Sequence, residues 1–377
     1  MIEKQAAVAP DFAALREAFP VTRGWTYLDL ANKAPLPQCA QDAIPDFLRE
    51  MNELGVREAF SKLRVEEIRA SLASLLGVSP GTIAFIKNTS EGMNIAAQAL
   101  DLQAGDNVLQ AEMDHPNQVY AWKRLEERGV ELKWVRNGEG YPPVEAFIEA
   151  MDGRTRVVAV SYVTFGTGCR VDLPALGAAC RERGVVLMTD AIQGVGILSA
   201  SLPDLGADIV VCGGHKGLLG LPGTGFLYCR EDLIPGMTPP FFARASMVRE
   251  VLERMEVGLA PDAHRFEIGN QNYLGLWVLG RSVEFLGKVG LAHIEERVRG
   301  LTTYLMELLE RRGEKILTPR PWEERAAIVS IESPDPPKAA AQLREKRIIA
   351  SARNNGLRFA PHFYNTEEEL ERTVSLL

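Results

Sequence analysis

The chain has 377 residues, a net charge of −8, 46% hydrophobic and 24% charged residues; it is long enough for two domains, and its composition is that of a globular chain rather than a disordered one. The acidic balance, with no lysine- or arginine-rich block, argues against a nucleic-acid partner, and no apolar run reaches the roughly 18 residues that cross a bilayer. Five cysteines, odd in number and without a C-x-x-C pair, indicate neither a disulfide framework nor a zinc site, and an N-terminus unlike a signal peptide leads us to expect a cytoplasmic protein with no membrane partner and no metal.

Taken in order, residues 1–20 read as a polar leader running into a helix over 11–18 that Pro20 ends. Helical patterns cover 41–76 and stop at Gly77. A strand over 82–87 leads to Asn88, which stands three residues before Glu91 at capping-box spacing and so starts a helix. Strands follow at 107–111, 131–135, 156–163, 185–189 and 209–212, separated by helical stretches such as 174–183. This alternation predicts βαβ units, hence an α/β fold with a mostly parallel sheet. Beyond Tyr228 the pattern turns helical and proline-rich. A long helical run over 274–312 then links to a smaller α+β region: a strand at 326–331, a helix at 338–346, strands at 347–350 and 357–359, and a last helix capped by Thr366 and Glu369. The expected division is a leader (1–20) packing on the small domain, a large domain (21–275), and a linker helix with the small C-terminal domain (276–377).

The stretch 189–230 carries the chemistry. Asp190 follows one apolar run and Lys216 another, and side chains that leave neighbouring parallel strands at their carboxyl ends share a crevice. An acid paired with a lysine suggests pyridoxal 5'-phosphate (PLP), which needs a lysine for its Schiff base and an anion for its ring nitrogen. Two glycine-rich alternatives fail by letter. A P-loop requires serine or threonine after the lysine, and Lys216 is followed by Gly217. A dinucleotide fingerprint requires a third glycine where Tyr228 and Ser199 stand.

Asp190-Ala191-Ile192-Gln193 and Gly214-His215-Lys216 resemble the D-x-x-Q and S-G-H-K segments of the class V aminotransferase family, the fold type I PLP group of cysteine desulfurases, selenocysteine lyases, C–S lyases and isopenicillin N epimerase-like proteins. The resemblance extends to Tyr27-Leu28-Asp29-Leu30-Ala31-Asn32, to Asn88-Thr89-Ser90-Glu91-Gly92-Met93-Asn94 and to Glu112-Met113-Asp114-His115. It also covers the loop from Ser161 to Leu173, Arg265-Phe266-Glu267-Ile268-Gly269-Asn270, and the C-terminal segment around Arg358. It implies a large domain with a seven-stranded type of sheet, a small C-terminal domain and a homodimer with a shared active site. Lys216 is implied as Schiff-base lysine, Asp190 as partner of the ring nitrogen, Gln193 as donor to the phenolic oxygen and His115 as the imidazole stacked on the ring. His215, Thr89 and Ser90 are implied as phosphate contacts. Asn270 stands where the family has a threonine that reaches the neighbouring subunit's phosphate. Arg358 occupies the place of the arginine that clamps a substrate carboxylate, with Arg353 as second candidate. Four letters depart from the pattern: Gly213 replaces a phosphate-binding serine, Asn270 the threonine, Asn32 an alanine at the substrate pocket, and Phe165 an asparagine of the desulfurases.

Desulfurases of the usual type use a mobile cysteine in their C-terminal third, and here no cysteine follows Cys229. The expected activity is therefore β-elimination on a small L-amino acid through an external aldimine, cleaving a C–S or C–Se bond without a catalytic cysteine. Transamination and epimerisation use the same groups. A PLP-fold binding or regulatory module is the non-enzymatic alternative, opposed by the joint presence of Lys216, Asp190, Gln193 and His115.

Overall fold

Strands that are apolar on both sides must be covered on both faces. In the computed structural model, which describes residues 10–136, 140–251 and 256–377, the short strand β1 (Thr26–Tyr27) precedes the strands of one large sheet. These are β2 (Ile83–Ile86), β3 (Asn107–Ala111), β4 (Glu131–Val135), β5 (Thr155–Ser161), β6 (Val186–Asp190), β7 (Ile209–Gly213) and β8 (Gly225–Cys229). Their order across this seven-stranded sheet is β2-β8-β7-β6-β5-β3-β4. Strands β3 to β7 run parallel, and β8 runs antiparallel to both β7 and β2.

Alternation along the strands divides the core into two layers. Val158, Val160, Leu187 and Val210 face a cluster closed by helices Lys62–Leu76 and Tyr273–Val289. Val157, Ala159, Met188 and Val211 face another, closed by helices Thr89–Ala99 and Pro116–Lys123. Gly92 lets the helix Thr89–Ala99 lie close on the sheet, because a Cβ there would stand 2.6 Å from methyl groups of Ile86 and Val211.

Beyond the sheet come an antiparallel hairpin of β9 (Met247–Val251) and β10 (Glu256–Leu259) and then a three-stranded antiparallel sheet. The latter contains β11 (Val329–Glu332), β13 (Ser351–Arg353) and β14 (Gly356–Phe359), while β12 (Ile348–Ile349) pairs in parallel with β1. The two ends of the chain are thus stitched together. Helix Phe12–Arg16 joins the same seam: Arg16 donates to the Tyr364 carbonyl at 2.6 Å and pairs with Glu369 at 2.7 Å. Residues 1–9 of the expected leader lie outside the described residues.

Two departures from the sequence reading have local causes. The helical run over 274–312 is two helices, Tyr273–Val289 and Leu291–Arg312, because Gly290 takes φ +85° between them. The region after Tyr228 is not helical; it forms short 3-10 turns and the β9–β10 hairpin. Met247, Val248 and Val251 are spaced i, i+1, i+4, which suits a helix face as well as a strand, so periodicity did not separate the two. Among the described residues no helix is long and apolar enough to cross a membrane.

The segment that carries Asn270 is fastened by a buried ion pair. Arg69, 0% exposed, donates to the Ile83 carbonyl at 2.8 Å and pairs with Glu267 at 2.7 Å, and Glu267 accepts the Phe85 N–H at 2.7 Å. Arg69→Met would leave Glu267 buried without its cation, a loss of about 3–5 kcal/mol read as a lower urea midpoint. A loss below about 1 kcal/mol would mean that water already screens the pair.

Candidate active site

Four strands deliver polar residues to one edge of the sheet. β6 ends in Asp190, β7 runs into Gly214-His215-Lys216, His115 follows β3, and β5 ends at Ser161, in register with Asp190. Asp190 is buried and its Oδ1 accepts the Ile192 N–H at 3.0 Å. Burial pushes this carboxyl up to about 6, opposed by that N–H and by the charge on Lys216. Lys216 is pulled the other way: burial brings its amine down to about 8, Asp190 raises it, and Arg358 and Arg353 lower it further. The amine has no hydrogen-bond partner among the described residues, so the two opposite charges attract across a gap without forming an ion pair. A flat ring with a cationic nitrogen at one side and an aldehyde at the other suits such a gap.

The loop that aims Lys216 is set by two close backbone approaches. Gly196 has φ +80° and its Cβ would lie 2.3 Å from the Gly217 carbonyl oxygen; a Cβ at Gly217 would lie 2.2 Å from that of Val195. The turn that carries Gln193 and the loop that carries Lys216 therefore pack backbone on backbone. Gln193 donates to the Ala31 carbonyl at 2.9 Å and keeps one amide hydrogen for another acceptor. His215 is brought down to about 4 by burial and then by the charges of Lys216 and Lys33, and its Nδ1 is buried without a partner. The space of the family's serine side chain at 213 is filled: a Cβ there would stand 2.9 Å from Ile192 Cδ1 and 3.2 Å from the His215 ring.

His115 caps the helix Pro116–Lys123, its Nδ1 accepting the Asn117 N–H at 3.2 Å, which leaves the proton of the neutral ring on Nε2. Burial, then the charges of Lys216 and Arg353, lower its pKa. The ring meets Phe165 edge-on, with centroids 5.0 Å apart. Arg358 is buried and already engaged: Nη1 donates to the Phe165 carbonyl at 2.6 Å, Nε to Ser351 Oγ at 3.1 Å, and Nη2 lies 3.3 Å from Asp29. Asp29 also accepts from Ser351 Oγ at 2.7 Å and from the exposed Asn32 amide at 3.1 Å. Arg353, by contrast, donates only to the Ala352 carbonyl, at 2.7 Å, and has no carboxylate partner among the described residues. Asp29 and Ser351 are thus site residues that sequence reasoning missed, although the Y-L-D letters pointed to the first.

Thr89 and Ser90 open the helix Thr89–Ala99. Asn88 caps the Glu91 N–H at 2.9 Å, so the N–H groups of Thr89 and Ser90 remain at the helix end, where an anion is favoured. Asn270 is exposed and lines a neighbouring cleft of about 450 Å³ with Asn88, Glu91 and Thr224. That cleft is lined by none of Lys216, Asp190 and His115.

The sequence matches the aminotransferase class-V family across residues 26–372. The chain belongs to that family. It is accordingly a PLP-dependent enzyme with the fold type I architecture, and the free Lys216 amine, the buried Asp190 and the unpartnered His215 nitrogen fit that cofactor. A probable cysteine desulfurase of Methanothermobacter thermautotrophicus is 32% identical over 297 residues, covering 77% of this chain and 74% of that protein. An uncharacterized aminotransferase of Bacillus subtilis is 26% identical, with 95% of each covered. The apo structure of cysteine desulfurase from Thermococcus onnurineus NA1 superposes with a TM-score of 0.87 at 25% identity and 96% coverage of both chains. A complex of the cystine C-S lyase C-DES with cysteine persulfide shares the fold at TM-score 0.86 and 22% identity, over 95% of this chain and 98% of that one.

The lowered lysine has a thermodynamic consequence for this class V enzyme. Between about 8 in the folded state and ~10.4 unfolded, the unfolded chain binds more protons, so stability gains as pH rises through that window. Apoprotein carrying Lys216→Met lacks the term. It is expected to melt above the wild type at pH 7, with the gap closing by about pH 10.5; a gap independent of pH would show that the ammonium is not desolvated.

Proposed function

We propose that this class V enzyme cleaves the C–S or C–Se bond of a small L-amino acid by β-elimination, releasing pyruvate and ammonia without a cysteine nucleophile. The state of the cysteines carries the reading. All five thiols are pushed up in pKa, mainly by burial, Cys169 to about 11 and Cys180 to about 12, with Cys39, Cys212 and Cys229 in the same direction. A thiolate is the attacking species in sulfur transfer, and none is favoured here at neutral pH.

PLP held at Lys216 supplies an electron sink for the electrons at the substrate Cα. The chain's residues do the rest. Asp190 holds a proton on the ring nitrogen, and the Lys216 amine, brought down to about 8, takes the Cα proton near neutral pH. His115 covers the ring face, Gln193 offers its spare amide hydrogen to the phenolic oxygen, and His215, Thr89 and Ser90 receive the phosphate. Asn270, at an outward cleft, reaches a second copy's phosphate in a homodimer, which makes the site shared between subunits. The substrate carboxylate lies toward Arg353 and Arg358, with Phe165 and Asn32 at the pocket wall. Of the two guanidiniums, Arg353 carries the charge that no acid among the described residues pairs with. The similarity to the Bacillus subtilis protein supports transamination as the second reading, since the same lysine can return the proton elsewhere.

Borohydride treatment of the yellow holoenzyme is expected to fix the cofactor on Lys216, and Lys216→Ala to abolish turnover. Incubation with cysteine, cystine and cysteine sulfoxides should release pyruvate with no keto-acid acceptor; dependence on an acceptor would replace elimination by transamination. Arg353→Ala should raise KM about tenfold or more with a smaller change in kcat, the mark of lost uniform binding. An unchanged KM would return the clamp to Arg358 alone.

A further inference from the structure

The mechanism leaves unused a buried acid next to His115. Asp114 precedes His115 in the loop after β3 and is buried, 6% exposed. Its Oδ2 accepts the Ser161 N–H at 3.2 Å and the Tyr141 hydroxyl at 3.3 Å, while Oδ1 is buried with no partner. Ser161 is the last residue of β5 and stands opposite Asp190 in register, and the next residue, Tyr162, donates its N–H to the Asp190 carbonyl at 2.8 Å. One strand end therefore holds both acids. We propose that Asp114 is a positioning residue that acts through Asp190: the two carboxyls share one buried charge, and Asp114 sets how firmly Asp190 holds a proton on the cofactor's ring nitrogen.

The electrostatics agree with the geometry. Burial pushes Asp114 up to about 7, with Ser161 and Tyr141 opposing and the charge of Asp190 adding to the rise. Asp190, at about 6, gives up its proton first, and its charge then delays Asp114, so the acids titrate as a pair. The groups facing Asp114 are Ser161 on β5, Asp190 on β6, Tyr141, and Cys169 on the loop after β5, with His115 next to it in the chain. No lysine or arginine is paired with it among the described residues. Between about pH 6 and about 7 Asp190 stands as the lone anion; above that window, a second negative charge strengthens the hold on the ring-nitrogen proton.

The proposal rests on Asp190 being the ring-nitrogen partner, and two measurements keep the two ideas apart. In the apoprotein, the native state binds more protons than the unfolded one between ~3.9 and about 7, so Asp114 lowers stability progressively as pH rises through that window. Apoprotein Asp114→Asn should match the wild type in Tm near pH 4 and exceed it above pH 7. In an Asp190→Asn background the upper end of that window should move to lower pH. In the holoenzyme, the ratio of PLP dissociation constants, Asp114→Asn over wild type, should be near one at pH 6 and rise several-fold by pH 8.5. Asp114→Glu, which keeps the acid, should restore the wild-type profile. A Tm window that ignores Asp190→Asn overturns the coupling. A window that moves, together with a flat PLP ratio, would show coupled acids that do not face the ring nitrogen and would overturn the reading of Asp190.

Discussion

A buried acid and a buried amine, each pushed toward neutrality, organise this molecule. Asp190 and Lys216 are each pushed by burial toward neutrality, the acid up to about 6 and the amine down to about 8. Neither has an ion-pair partner among the described residues, and a ring with a cationic nitrogen and an aldehyde would suit both groups. The rest of the large sheet serves these two groups. Parallel strands put both groups at one edge, and the glycine contacts at Gly196 and Gly217 let two turns approach more closely than any side chain allows.

The cluster around Arg358 is assembled from distant parts of the chain. Asp29 and Asn32 come from the beginning, Phe165 from the middle, and Ser351, Arg353 and Arg358 from the end. The parallel pairing of β1 with β12 brings the first and last of these together, and Arg358 binds across them. Arg358 is thereby both a structural tie and a cation, whereas Arg353 is only a cation.

Much of this was legible from local signals. The strands β3 and β4 begin and end where the sequence places them, Asn88 and Thr366 cap the helices their spacing foretells, and the letters around Asp190, Lys216 and His115 lead to one edge of the sheet. Other features were not. β8 runs antiparallel between β2 and β7, yet its letters read like any buried strand. Gly213 reads as a lost serine until the His215 ring and the Ile192 side chain are seen in its place.

By itself the sequence determined the kind of fold and singled out the acid and the lysine that the fold brings to one sheet edge, because strand periodicity, helix caps and motif spacing act over a few residues and are written in them. Only the tertiary structure decided that Arg358 is already tied to Asp29, 329 residues away, and that Asp114 lies buried at the same strand end as Asp190. Burial and long-range pairing set those charges. Both depend on which segments meet, and a linear order of letters carries no such distances.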